Sequence, residues 1–117
     1  MTQAAPADET DPSDLALIDE AHLHSFTDGD AALEEELAEL FVDTARGYLK
    51  KMEEAIEEQR SWSAEVHALK GASANLGAHR LAALAKRLEF APPSMEDLKS
   101  LHTVFEETKA YLLERRQ

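Results

Sequence analysis

Cysteine is absent from the 117 residues, which excludes disulfides, thiolate nucleophiles and thiolate metal sites. Glycine and proline number four each, so sharp turns are few, and aromatic residues make up only 6%. No stretch approaches the roughly 20 consecutive apolar residues that span a bilayer. The first 14 residues hold no Lys or Arg and no apolar run, so no secretory signal is expected there. Basic residues are scarce throughout: 12 Lys and Arg against 24 Asp and Glu leave a net charge of −12. That balance argues against nucleic acid and against anionic membrane surfaces, since both are bound through clustered cations. It serves solubility instead, and the expected location is the cytoplasm.

What the chain does have is Ala and Leu. Hydrophobic residues reach 44%, and this choice of them favours packed helices over sheets. The length suits one domain. Residues 1–14 carry two prolines, four acids and no large apolar side chain, and read as a flexible acidic tail or the end of a linker. Residues 15–26 offer Leu15, Ile18, Leu23 and Phe26 to one side of a core. A turn at 27–30 provides Asp28 or Asp30 as the next helix cap.

Residues 31–59 repeat apolar side chains at three- and four-residue spacing: Leu33, Leu37, Leu40 and Phe41, then Tyr48, Leu49, Met52 and Ile56. Gly47 marks a bend or a helix junction, and Glu34, Glu35 and Glu36 read as a solvated face. Residues 61–76 form the next helix, with Ser61 as cap and Gly77 as terminator. Residues 79–90 follow, striped by Leu81, Leu84, Ala85 and Leu88, and Pro92 and Pro93 stop them. Ser94 caps a last helix striped by Leu98, Leu101, Phe105, Thr108 and Leu112. No β pattern occurs. Four helices of roughly 12 to 20 residues with short connections imply an all-α, antiparallel up-and-down four-helix bundle over residues 15–117, with a short N-terminal helical extension.

The informative segment runs from Val66 to Ala78. On a helical wheel Trp62, Val66, Leu69, Ser73 and Leu76 fall within about 40° of one direction, the core face, and His67 lies about 140° away. His67 is therefore expected to point outward. Its helical neighbours are Ser63, Ala64, Lys70 and Gly71, with Ala74 one turn on; all but Lys70 are small. A mid-helix glycine costs ~1 kcal/mol relative to Ala, and close approach of another body would account for it. A neutral imidazole has a free lone pair, able to attack phosphorus, with Lys70 offsetting incoming negative charge and Gly71 leaving clearance. Nothing in the chain supplies a nucleotide pocket or a second catalytic group, so the phosphoryl donor and its Mg²⁺ must come from a partner.

The run His67-x-Leu69-Lys70-Gly71-x-Ser73-x-Asn75-x-Gly77-Ala78 resembles the signature of histidine-containing phosphotransfer domains, helical-bundle modules that relay phosphoryl groups between receiver-domain aspartates. The resemblance extends over most of residues 15–117, including Leu-Ala-Ala-Leu-Ala-Lys-Arg-Leu-Glu after the motif. It implies that His67 is the phosphorylation site, Lys70 the charge-balancing residue and Gly71 the clearance residue. It also matches Glu89 to a position that in the chemotaxis-kinase branch holds a carboxylate bonded to the histidine ring. The implied partners are a response regulator receiver domain and a sensor or hybrid histidine kinase, and the expected docking surface on a monomer is the helix carrying Ser63, Ala64 and Ala74 together with an adjacent helix. The implied protein is a phosphoryl carrier without kinase activity of its own.

Other readings of these residues are plainer. Ser73 reads as a buried hydroxyl bonded to the Leu69 carbonyl. His22 and His24 point to different faces, and His79 and His102 stand alone, so no metal site is expected. The rival function is a non-catalytic helical adaptor that binds a signalling partner.

Overall fold

The structure, a computed structural model, describes residues 11–115. It is all helical: α1 (Glu20–Thr27), α2 (Ala31–Glu58), α3 (Ser63–Leu76), α4 (His79–Leu88) and α5 (Met95–Glu114), preceded by a 3-10 turn, Pro12–Asp14. Among the described residues there is no strand. Helix α2 packs on α3 and α5, α4 packs on the same two, and α1 lies against α2. Of the tail expected at 1–14, residues 1–10 lie outside the described residues. The turn Pro12–Asp14 packs on α4 with Pro12 buried, so packing begins before residue 15.

Local chemistry sets the helix ends. Asp19, Asp30 and Ser94 each accept a hydrogen bond from a backbone N–H in the first turn of α1, α2 and α5, satisfying donors that the helix leaves unpaired. Ser61 does the same for Ser63 N at 3.1 Å, while Trp62 occupies the cap position of α3 itself. Gly77 ends α3 at φ 88°, a conformation suited to glycine. A Cβ there would also stand 3.2 Å from the Asp19 carbonyl oxygen and from the His22 ring. Gly47 marks no junction, because α2 runs through it as one helix of about 42 Å.

The core holds the expected face of α3, with Trp62, Val66, Leu69, Ser73 and Leu76 all buried. The indole N–H of Trp62 donates to the Ala91 carbonyl at 3.1 Å, tying the start of α3 to the loop after α4. Along α2 the buried ladder is Glu34, Ala38, Phe41, Ala45, Leu49, Met52 and Ala55. The expected Leu33 and Leu40 are exposed, as is Phe26 of α1. The stripe faces inward on its alanines, which let α2 approach its neighbours closely, and leaves the larger leucines on its flank. Glu34, expected in solvent, is only 4% exposed.

Ser73 also departs from expectation: its buried hydroxyl has no hydrogen-bond partner. An unsatisfied buried polar group is destabilising, and Ala is the better helix former. Ser73→Ala is expected to raise stability by about 1 kcal/mol, read as a higher urea midpoint with an unchanged slope.

Candidate functional site

His67 stands on the outer face of α3 with its side chain 66% exposed. Helix α4 lies beside α3 after the tight turn at Gly77 and Ala78, and this pairing brings the end of α4 alongside the histidine. Glu89, at the C-cap of α4 and only 8% exposed, reaches across. Its Oε2 lies 2.7 Å from His67 Nδ1, and its Oε1 accepts from Lys70 Nζ at 2.8 Å. The three side chains form one chain of contacts across two helices.

The charge state follows. The Lys70 ammonium bonded to Glu89 holds its carboxyl below the usual carboxylate range, against the opposing effect of burial, and His67 adds to the lowering. An ionised carboxylate only accepts hydrogen bonds, so Nδ1 of His67 must carry the proton. In the neutral ring the lone pair is then on Nε2, to which no described residue is hydrogen-bonded. The result is an oriented imidazole of fixed tautomer, with its nucleophilic nitrogen free.

Around it the surface is bare. Ala64, Gly71 and Ala74 are exposed and Ser63 is half-buried. A Cβ built on Gly71 would meet nothing within 4 Å, so no packing among the described residues demands glycine there. Lys70 is half-buried and engaged with Glu89 rather than standing as a free cation.

One turn further along α3 the surface becomes apolar. Phe26 of α1, Leu37, Leu40, Phe41 and Thr44 of α2, and Ala72, Asn75 and Leu76 of α3 line an open groove of about 300 Å³. Phe26 and Leu40 are each 62% exposed. Residue 72 is five positions beyond His67, about 7.5 Å along the helix and about 140° around it, and Asn75 on the groove is about 80° around. The groove therefore opens on the flank of α3 next to the histidine and not on the same face. In the sequence Phe26 reads first as bundle packing, with an exposed fraction that could border a docking surface, and Leu40 reads as core; the groove leaves both 62% exposed.

Of the other four histidines His102 is exposed on α5, and the remaining three have structural partners. His22 Nε2 contacts the Asn75 carbonyl at 3.0 Å, His79 Nε2 lies 3.0 Å from Asp19 Oδ2, and His24 Nδ1 lies 2.9 Å from Glu34. Among the described residues no cluster of three or more His, Asp or Glu is arranged to hold a metal ion, and no helix is long and apolar enough to cross a membrane.

A family model described as Hpt domain matches residues 36–113. No curated protein and no solved structure matches the chain.

Proposed function

Because the chain belongs to the Hpt domain family, whose members carry out histidine phosphotransfer in two-component signalling and interact there with kinases and response regulators, we propose that His67 is the residue that carries the phosphoryl group. The observation that carries this reading is the Glu89 contact to Nδ1, which leaves Nε2 as an outward-facing nucleophile. A receiver domain docks over α3 and presents its phospho-aspartate together with Mg²⁺. The Nε2 lone pair attacks phosphorus in line, the N–P bond forms, and the aspartyl P–O bond breaks as the carboxylate leaves. Positive charge developing on the ring is faced by Glu89, and Lys70 is close enough to share its charge with the phosphoryl oxygens. The reverse step loads a second receiver.

In this reading α2 to α5 form the antiparallel up-and-down four-helix bundle, α1 and the Pro12–Asp14 turn are its extension, and together they act as one monomeric cytoplasmic module. The partner's contact centre is the groove walled by Phe26 and Leu40, with Ser63, Ala64 and Ala74 beneath the receiver's active site. Small apolar centres of this kind suit transient complexes.

The test is incubation with a phosphorylated receiver domain. Label that is acid-labile and base-stable is expected on this chain, as for phosphorus bound to nitrogen, and no transferred label would overturn the reading. Gly71→Gln sharpens the test. The longer side chain has open space in the free protein and improves helix propensity by up to ~1 kcal/mol. The bundle should therefore melt no lower than the parent while transfer slows at least ~10-fold, since a misplaced approach by even an ångström is costly. Undiminished transfer would remove this account of the glycine.

A further inference from the structure

A charge cluster at the foot of α1 takes no part in the chemistry above. Glu34 of α2 is buried, and its Oε2 accepts from Thr27 Oγ1 at 2.7 Å and lies 2.9 Å from His24 Nδ1. Its Oε1 accepts from Arg115 Nη2 at 3.1 Å. Arg115 also grips Glu20 bidentately, Nη2 to Oε1 at 2.7 Å and Nε to Oε2 at 3.0 Å, and the Tyr111 hydroxyl donates to the same Glu20 carboxylate. One guanidinium thus joins α1, α2 and the end of α5. Of these six residues only Tyr111 lies inside the segment that matches the family, 36–113.

Helix α1 depends on such ties. Eight residues are too few to hold a helix in water unaided. Leu23 is its one buried large apolar side chain, and Phe26 is exposed rather than anchoring it. Yet Phe26 forms one wall of the groove beside the His67 helix, so the shape of that groove depends on where α1 sits. A planar guanidinium held by two carboxylates fixes geometry more sharply than a single ion pair. Removing it leaves Glu34 buried beside Glu20 without its cation, which pushes the two helices apart.

We propose that Arg115 is a positioning residue for partner docking: by holding Glu20 and Glu34 together it fixes α1, and with it the Phe26 wall of the groove, in the pose a receiver domain reads. This rests on the assignment of His67 above. The experiment uses the full chain with Arg115→Met and three measurements. Amide hydrogen exchange over residues 20–27 is expected to accelerate while α2 to α5 stay protected. If the docked pose of α1 falls to about a tenth of the population, KM for the phosphorylated receiver rises ~10-fold with kcat unchanged. Labelling by phosphoramidate, a donor too small to need the groove, stays at the parent rate.

Arg115→Lys, which keeps the charge but not the fork, is expected to recover part of the loss. An unchanged KM overturns the proposal, whether or not α1 exchanges faster, because the cluster is then structural only. Equal loss of phosphoramidate labelling also overturns it, since the damage then lies at His67. If Arg115→Met does not fold, Glu20→Gln leaves the Glu34–Arg115 pair in place and carries the same expected rise in KM, with an unchanged value there overturning the idea. Failure of the underlying assignment shows separately, as phosphoramidate label that persists when His67 is replaced by Gln.

Discussion

His67→Gln is expected to abolish phosphoryl labelling while leaving the bundle as stable as the parent. The two halves of the result come from different physics. The amide nitrogen of Gln has its lone pair delocalised into the carbonyl, so it offers phosphorus no nucleophile, and no neighbouring side chain replaces it. Lys70 is bonded to Glu89 as an ammonium, which has no lone pair to donate. The fold, by contrast, takes little from this position. The side chain is two-thirds exposed and Gln is a good helix former. The Gln amide N–H can donate to Glu89 in place of the ring N–H while Lys70 stays bonded to the same carboxylate, so stability should change by about 0.5 kcal/mol or less. Measured together, a transfer assay and a thermal melt should show complete loss in the first and no shift in the second. Label retained on the variant would sink the assignment of His67.

The second large effect is expected at Glu89. Its replacement by Leu removes the acceptor that fixes the His67 tautomer and ring orientation, and leaves Lys70 without its carboxylate. Loss of orientation at a reacting group typically costs about 10²-fold, so transfer should fall by roughly that factor without vanishing, because Nε2 is still present. Glu89→Gln should lie between, since its amide oxygen still accepts from Nδ1 but does not neutralise Lys70. Equal rates for parent and Glu89→Leu would show that the contact is incidental.

A pH signature accompanies this residue. The Glu89 carboxyl is held below its ordinary value, first by Lys70 and then by His67 against the effect of burial. A depressed acid contributes stability that is fully present above its unfolded value, near 4.3, and is lost as pH falls through the folded one. The stability difference between the parent and Glu89→Gln should therefore hold constant from neutral pH to that range and shrink below it. Denaturant midpoints taken across acid pH read this directly, and a difference that persists undiminished in acid would contradict the ion-paired state.

The outward setting of His67 and the bareness around it were legible because both are local, fixed by the turn of a single helix. The same wheel buried Trp62, Val66, Leu69 and Leu76 correctly. Glu89 is 22 residues from His67, and only the family resemblance marked it; nothing in the spacing says that the end of α4 lies beside α3. Leu33 and Leu40 are a different case: by hydrophobicity they outrank the alanines at 38 and 45, but it is the alanines that are in phase with the core face of α2. Glu34 held a signal that could have been used. It is in step with Ala38, Phe41 and Ala45, and a carboxylate in phase with a core ladder calls for buried partners. These are supplied by Thr27, His24 and Arg115, from segments before and far after it.

The pairing of Lys70 with Glu89 bears on how firmly a load would be held. At rest these two charges cancel. A phosphoryl group on His67 would bring about two negative charges to a chain already at −12, and Lys70 beside it already shares its charge with Glu89. The electrostatic field of the whole molecule then favours release to an acceptor that offers a dication. If His67 carries the phosphoryl group as proposed, such a site would have a high group-transfer potential, suited to handing the group on and not to storing it.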